Sequence, residues 1–584
     1  MVALPWWKKL LFSLLTTALF FGLMETLFAL AGVSGEAVPT DPYLGLETGT
    51  PAFEEQSRRD GVWMVTHPEK RTVFNEQSFL KQKPPNTYRV FSVGGSTTFG
   101  HPYCDPTSFS GWLRELLPAA DASRNWEVIN AGGISYASYR VAALMEDLTR
   151  YEPDLFVVYC GHNEFLEERA YRDIARWPKP LLATRTALSH TRTYAVLHRL
   201  LRPLRGRGAG ADKLPGEVDA VLDHTAGPES YRRDDALRQR IVDHFTFNLQ
   251  RMIAIARAAG AAVMFVTPAS DLKDTSPFKS EHIANLGKEE LDQIHQLDQE
   301  ARTLESDGRI GDALLAYRKA LAIDPRFAER HFRVGKLLFE QKRYDEALAA
   351  FQRARDEDVC PLRALTEIVA ICRRVAGQYG APLVDFESLV ADTCFQQQGH
   401  RAVGKEYFLD HVHPTVAMNG LLARAIIDRM IGEGIVKPGR DWNDTASAAV
   451  SRRVEGRIDE QAKGLAFRNL AKVYYWSGKR EEAGRQALKA LQILGDDREC
   501  LFIAGIALRE KGEVLESFDY LSRAVDGMDY APDTHLLLGS TAARQGKFEQ
   551  ARLHYKEVLR LRPEDNEARE ALADLENRSG SANE

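Results

Sequence analysis

Metal-ligand spacing is absent from this chain of 584 residues. Its six cysteines, Cys104, Cys160, Cys360, Cys372, Cys394 and Cys500, show no metal-type pattern, so no metal site is expected. No nucleotide or flavin motif occurs either, and no organic cofactor is expected. A net charge of -6 leaves no basic footprint, which excludes nucleic acid as an expected partner. Outside the cytoplasm some cysteines are candidates for pairing, in a connectivity that sequence does not define. Cys160, flanked by an apolar strand, reads instead as a buried thiol. What remains is ordinary globular composition, 44% hydrophobic and 27% charged, at a length that predicts several domains.

One apolar run is long. Residues 10–31 follow Lys8 and Lys9 and are broken only by Glu25, which is a membrane-spanning length. The expected arrangement is an uncleaved signal anchor over 10–31, a cytoplasmic tail over 1–9, and everything later on the extracytoplasmic side of a cell membrane. A removed signal peptide ending at Ala29-Leu30-Ala31 is the competing reading. Glu25 is costly in lipid and hints at a membrane partner. Residues 32–86, rich in proline and glycine near 38–51, read as a spacer without chemistry.

From residue 86 apolar strands alternate with helical patterns, which predicts a parallel sheet. The first strand runs into RVFSVGGSTTFG (89–100), where two glycines deliver Ser96. WEVINAGG (126–133) and DLFVVYCGHNEF (154–165) follow, with helices expected over 109–117 and 138–151. Further strands are expected over 261–270 and 381–387, the former after a helix over 235–259. Ligands of such sheets sit at the strand C-termini, the edge where Ser96, the 132–135 turn and Asn163 emerge. His101, His162 and Asp271 leave the same edge and are candidate substrate-binding residues, with a structural hydrogen-bonding role as the alternative for each.

A serine hydroxyl needs a base to take its proton and donors for the oxyanion. FLDHVHPT (408–415) supplies a base: Asp410 and His413 stand three apart, which in a turn or helix brings carboxylate and imidazole together, while His411 is the rival. An α/β-hydrolase elbow needs G-x-S-x-G, but the second residue after Ser96 is Thr98. Together the four stretches resemble the SGNH (GDSL-like) hydrolase family, over about 87–435 with an interruption. The resemblance implies a three-layer, flavodoxin-like α/β fold with Ser96 as nucleophile and His413 as base, oriented by Asp410. It further implies an oxyanion hole from the Ser96 N–H, the Asn163 side chain and an N–H of the Gly133–Ser135 turn, Ser135 standing at the position usually held by glycine. The chain departs from the family in reading GGST at the first motif and in carrying Glu164 where aspartate is usual. Neither change removes a reacting group.

Between the third and fourth strands, 166–231 carries Arg199, Arg202, Arg205 and Arg207 before a glycine-rich GRGAGAD, and its place directly after Asn163 suits a lid. The fourth and fifth strands are separated by a repeat. Gly308, Ala313, Tyr317 and Ala320 recur 34 residues later as Lys342, Ala347, Phe351 and Ala354. The same period returns in Gly478, Gly512 and Gly546, and in Ala483, Ser517 and Ala551. This is the tetratricopeptide signature, and such arrays hold proteins on a concave surface. The expected boundaries are hydrolase over 87–283 and 359–436, inserted repeats over 284–358, and C-terminal repeats over 455–580.

The function expected is a membrane-anchored serine esterase or O-acyltransferase acting on ester-linked acyl groups of an envelope or exported glycan. The alternative is a membrane-tethered assembly scaffold that works through its repeats.

Overall fold

The structure, a computed structural model, describes residues 5–31, 51–166, 191–193, 196, 227–524 and 531–580. The expected lid over 166–231 falls almost wholly outside them.

Five parallel strands form the central sheet: β4 (Thr87–Gly94), β5 (Asn125–Gly132), β6 (Leu155–Tyr159), β7 (Ala262–Val266) and β8 (Leu383–Val384), in the order β5-β4-β6-β7-β8. Counted from β4, that is the order 2-1-3-4-5 of flavodoxin-like sheets, whose switch point lies between β4 and β6. Both faces are covered, which is why β6 reads LFVVY without alternation. One face packs against helices Ser138–Leu148, Asp235–Ala258 and Thr366–Tyr379. The other packs against Phe109–Ala120, Phe386–Gln398 and Val416–Gly432. The three-layer expectation is therefore met.

Residues 51–86 are not a spacer. Three strands, β1 (Phe53–Arg58), β2 (Gly61–Thr66) and β3 (Ser78–Leu80), make an antiparallel sheet that buries Phe53, Met64 and Phe79 in the same core as Phe91 and Tyr151. Arg58 pairs with Gly61, so Arg59 and Asp60 form a two-residue hairpin loop, followed by Gly61 at φ 144°.

The N-terminal stretch is a helix, Trp6–Leu30, but among the described residues no helix is long and apolar enough to cross a membrane. The expected span is thus not supported. Glu25 interrupts its apolar surface, and its carboxylate accepts the Arg192 N–H at 2.5 Å and the Thr193 N–H at 2.9 Å.

Both repeat segments are helical pairs. Lys288–Ser306 with Ile310–Ile323 and Ala328–Glu340 with Tyr344–Asp356 make the insertion. The C-terminal array runs from Glu460–Trp476 through Phe548–Leu561 to a last helix, Asn566–Gly580. The 34-residue period has a backbone cause: Gly308, Lys342, Gly478, Gly512 and Gly546 all adopt positive φ, between 60° and 85°, at the turn inside each pair. The alanines at the repeat positions are buried because the partner helix comes close; a methyl on Gly335 would stand 2.6 Å from the Phe351 ring. Helix Asp444–Glu455 belongs to the core of the α/β domain, where it buries Val450 and Val454, so that unit extends beyond the expected end at 436. All six cysteines are free, and Cys160 is buried as expected.

Candidate active site

Ser96 opens a four-residue helix, Ser96–Phe99, directly after β4 and Gly95. Its position is enforced from below. The Phe99 carbonyl accepts Asn75 Nδ2 at 2.8 Å and Asn130 Nδ2 at 3.3 Å, and Thr98 Oγ1 donates to the Tyr159 carbonyl at 3.2 Å. Asn75 lies in the segment the sequence presented as spacer; only its contact, and no local pattern, marks it.

The base comes from the far end of the fold. His413 Nε2 lies 2.8 Å from Ser96 Oγ, and its Nδ1 lies 2.6 Å from Asp410 Oδ2. An ionised carboxylate only accepts, so Nδ1 carries the proton and Nε2 is left to accept from the serine. Asp410 is fixed in turn by the Val412 and His413 N–H groups, each donating to Oδ1 at 2.9 Å. Burial alone would raise the Asp410 carboxyl; His413, then His411, and these donors outweigh it and hold it well below the usual carboxylate range.

His411 does not face the serine. Its ring packs edge-on against Phe278 at 5.1 Å, and burial pushes its pKa down to about 3 against the opposing pull of Asp410.

Three donors are candidates for the oxyanion. The Ser96 and Ser135 N–H groups have no partner among the described residues. Asn163 Nδ2 donates to the Tyr136 carbonyl at 3.1 Å. Ser135 is held at φ 63°, an uncommon conformation for a residue with a side chain. Gly133 requires a correction: its N–H donates to the Gly94 carbonyl at 3.0 Å, continuing the ladder between β4 and β5, and is not available to an oxyanion. Glu164 is buried behind Asn163, where it accepts Ser138 N–H at 3.0 Å and Ser138 Oγ at 2.7 Å. Burial raises its carboxyl to about 7, against those two hydrogen bonds.

The other candidates separate. His101 lies against the base, ring centroids 4.7 Å apart, and burial followed by the neighbouring His413 pushes its pKa down to about 3. His162 Nδ1 accepts the Ala364 N–H at 3.2 Å, and its buried Nε2 has no hydrogen-bond partner among the described residues. Asp271 is 3% exposed and accepts Asp274 N–H at 2.8 Å and Thr275 Oγ1 at 3.0 Å. Its carboxylate thus closes a turn. Among the described residues no group of histidine, cysteine or acidic side chains could hold a metal ion.

A serine, histidine and aspartate thus stand in hydrogen-bonded line at the C-terminal edge of a flavodoxin-like sheet, on a chain with helical repeats. Residues 299–358 and 536–584 match the tetratricopeptide repeat family model. No curated protein matches the chain. Among solved structures it is similar to a lipase/acylhydrolase from Enterococcus faecalis, at 12% identity and TM-score 0.27 over 60% of this chain and 99% of that one. It is also similar to an acetyl xylan esterase from Geobacillus stearothermophilus, at 11% identity and TM-score 0.26 over 60% of this chain and 97% of that one. A third likeness, at 16% identity and TM-score 0.19, is to pilF of Pseudomonas aeruginosa, over 49% of this chain and all of that one.

Proposed function

We propose that the protein is a serine ester hydrolase working through an acyl-Ser96 intermediate. The observation that carries this reading is the continuous line from Ser96 Oγ through His413 to Asp410, at 2.8 and 2.6 Å. Ser96 Oγ attacks the ester carbonyl while His413 Nε2 takes its proton, and the imidazolium is stabilised by Asp410. The carbonyl oxygen, now negative, is met by the Ser96 and Ser135 N–H groups and Asn163 Nδ2. His413 then returns its proton to the departing alcohol, and an acceptor hydroxyl, activated by the same nitrogen, releases the acyl group. If the acceptor is water the protein is an esterase; if it is a sugar hydroxyl it is an O-acyltransferase.

The substrate class in this proposal is an acyl ester on an envelope or exported glycan, and the repeats are its protein-docking arm. An address at an extracytoplasmic membrane surface goes with it. What supports that address is the helix Trp6–Leu30, on which Phe12, Leu15, Leu19, Leu23 and Leu30 are all more than half exposed. Purified protein is expected to release acetate or p-nitrophenol from simple esters, and Ser96→Ala to abolish release. Equal turnover by the variant would remove the assignment, and recovery of the protein in a cytoplasmic fraction would remove the address.

A further inference from the structure

The C-terminal array touches the site it follows in sequence. Asn469 Nδ2, on helix Glu460–Trp476, donates to the Pro102 carbonyl at 2.8 Å, one residue from the His101 ring that lies on His413. Tyr474 Oη, on the same helix, donates to the Leu409 carbonyl at 3.4 Å, one residue before Asp410. Leu409 also donates its own N–H to the His413 carbonyl at 2.8 Å, so the turn carrying acid and base is held at this residue from both sides. Lys479, just past the helix, donates to the Ser276 carbonyl at 3.4 Å and places its ammonium 4.8 Å from the centre of the Phe278 ring, which packs on His411. Trp476 joins Leu166, Leu362 and Phe278 in a small apolar cluster near the Asn163 turn.

These contacts are not the accident of a tethered neighbour. Helix Asp444–Glu455, which leads into the array, is seated on helix Phe109–Ala120 through Val450 and Val454, with Arg453 and Arg457 both paired to Glu115. The approach of the first repeat is therefore fixed by the hydrolase core. Each of the three polar side chains then ends on a backbone carbonyl rather than on a side chain, an arrangement that restrains loops.

We propose that the first C-terminal repeat is a structural wall of the catalytic centre, in which Asn469, Tyr474 and Lys479 are positioning residues for the loops that bear His101, Asp410, His413 and His411. The inference rests on the hydrolase reading above. A displacement of the Asp410–His413 turn by a fraction of an ångström weakens the hydrogen bonds to Ser96 and to Nδ1 together, and chemistry is more sensitive to such displacement than ground-state binding is.

The test uses the full chain. Tyr474→Phe removes only the hydroxyl that reaches Leu409, and Asn469→Ala only the amide that reaches Pro102. Tyr475→Phe is the control, because that ring packs inside the array against Phe502 at 5.8 Å. With a small nitrophenyl ester, the Asn469→Ala/Tyr474→Phe double variant is expected to lose on the order of tenfold in kcat at unchanged KM and unchanged melting temperature, a size typical of slight misplacement of catalytic groups. Tyr475→Phe is expected to keep its kcat. Wild-type kcat in the double variant, whether or not its melting temperature falls, overturns the inference, as does a change confined to KM. If the double variant unfolds, Tyr474→Phe alone is read against the same criteria. Failure of the hydrolase reading itself is separately visible, since Ser96→Ala would then retain activity in the same assay.

Discussion

A methyl group on Gly95 would stand 2.5 Å from Asn163 Nδ2, closer than any side chain tolerates. The glycine before the nucleophile is thus what lets the amide of another strand's loop reach the space in front of Ser96. Gly95→Ala is expected to push Asn163 aside and to reproduce the loss seen in Asn163→Ala. Removal of one oxyanion donor typically lowers kcat about a hundredfold to a thousandfold, and both variants should fall in that range with little change in KM. Steady-state kinetics on one small ester checks this; full activity in Gly95→Ala would separate the glycine from the oxyanion hole.

Glu164 makes stability depend on pH. Burial raises its folded-state pKa from 4.5 to about 7, so the stability tied to its protonated form is fully present below the unfolded value and is lost as pH rises through about 7. The shift corresponds to about 3 kcal/mol between those limits. Glu164→Gln, which preserves the shape that holds Ser138, should flatten this part of the profile. Urea melts of both proteins at pH 4.5, 6 and 8 measure it, and parallel profiles would contradict the assignment.

The small antiparallel sheet is expected to be structural for the α/β unit. Phe79 is 1% exposed and sits edge-on to Phe53, Phe91 and Tyr151, at 5.1, 5.6 and 5.5 Å. Phe79→Ala should cost about 3–5 kcal/mol, as large-to-small changes in cores do. Denaturant titration checks it, and a cost below about 1 kcal/mol, the range of ordinary surface substitutions and little more, would mean that the sheet is an appendage.

What the sequence made legible was local. Asp410 and His413 are close because they are three residues apart in one turn, and Ser96 stands at the strand's C-terminal edge because an apolar strand ends there in glycines. The 34-residue period survived because each repeat needs the same left-handed turn, even where Lys342 replaces glycine. The donor on the second motif was illegible because it depends on register: β5 continues its ladder one residue beyond Gly132, and this commits the Gly133 N–H and leaves Ser135 as the free group. The hairpin at Asp60 was hidden because only one face of β1 and β2 is buried and the strands are six residues each, little of it apolar in β1. The contacts of Asn469 and Tyr474 join residues 367 and 65 positions apart, which no pattern in the chain announces.

The most direct measurement is labelling with a fluorophosphonate, which reacts only with an activated serine and needs no knowledge of the substrate. After digestion and mass spectrometry, the adduct is expected on Ser96 in the wild-type protein. It should fall by about a thousandfold or more in rate in His413→Ala, the usual consequence of removing the base of such a triad. His411→Ala should label at close to the wild-type rate, because that ring faces Phe278. An adduct on another residue, or rapid labelling of Ser96 in His413→Ala together with none in His411→Ala, would contradict the account.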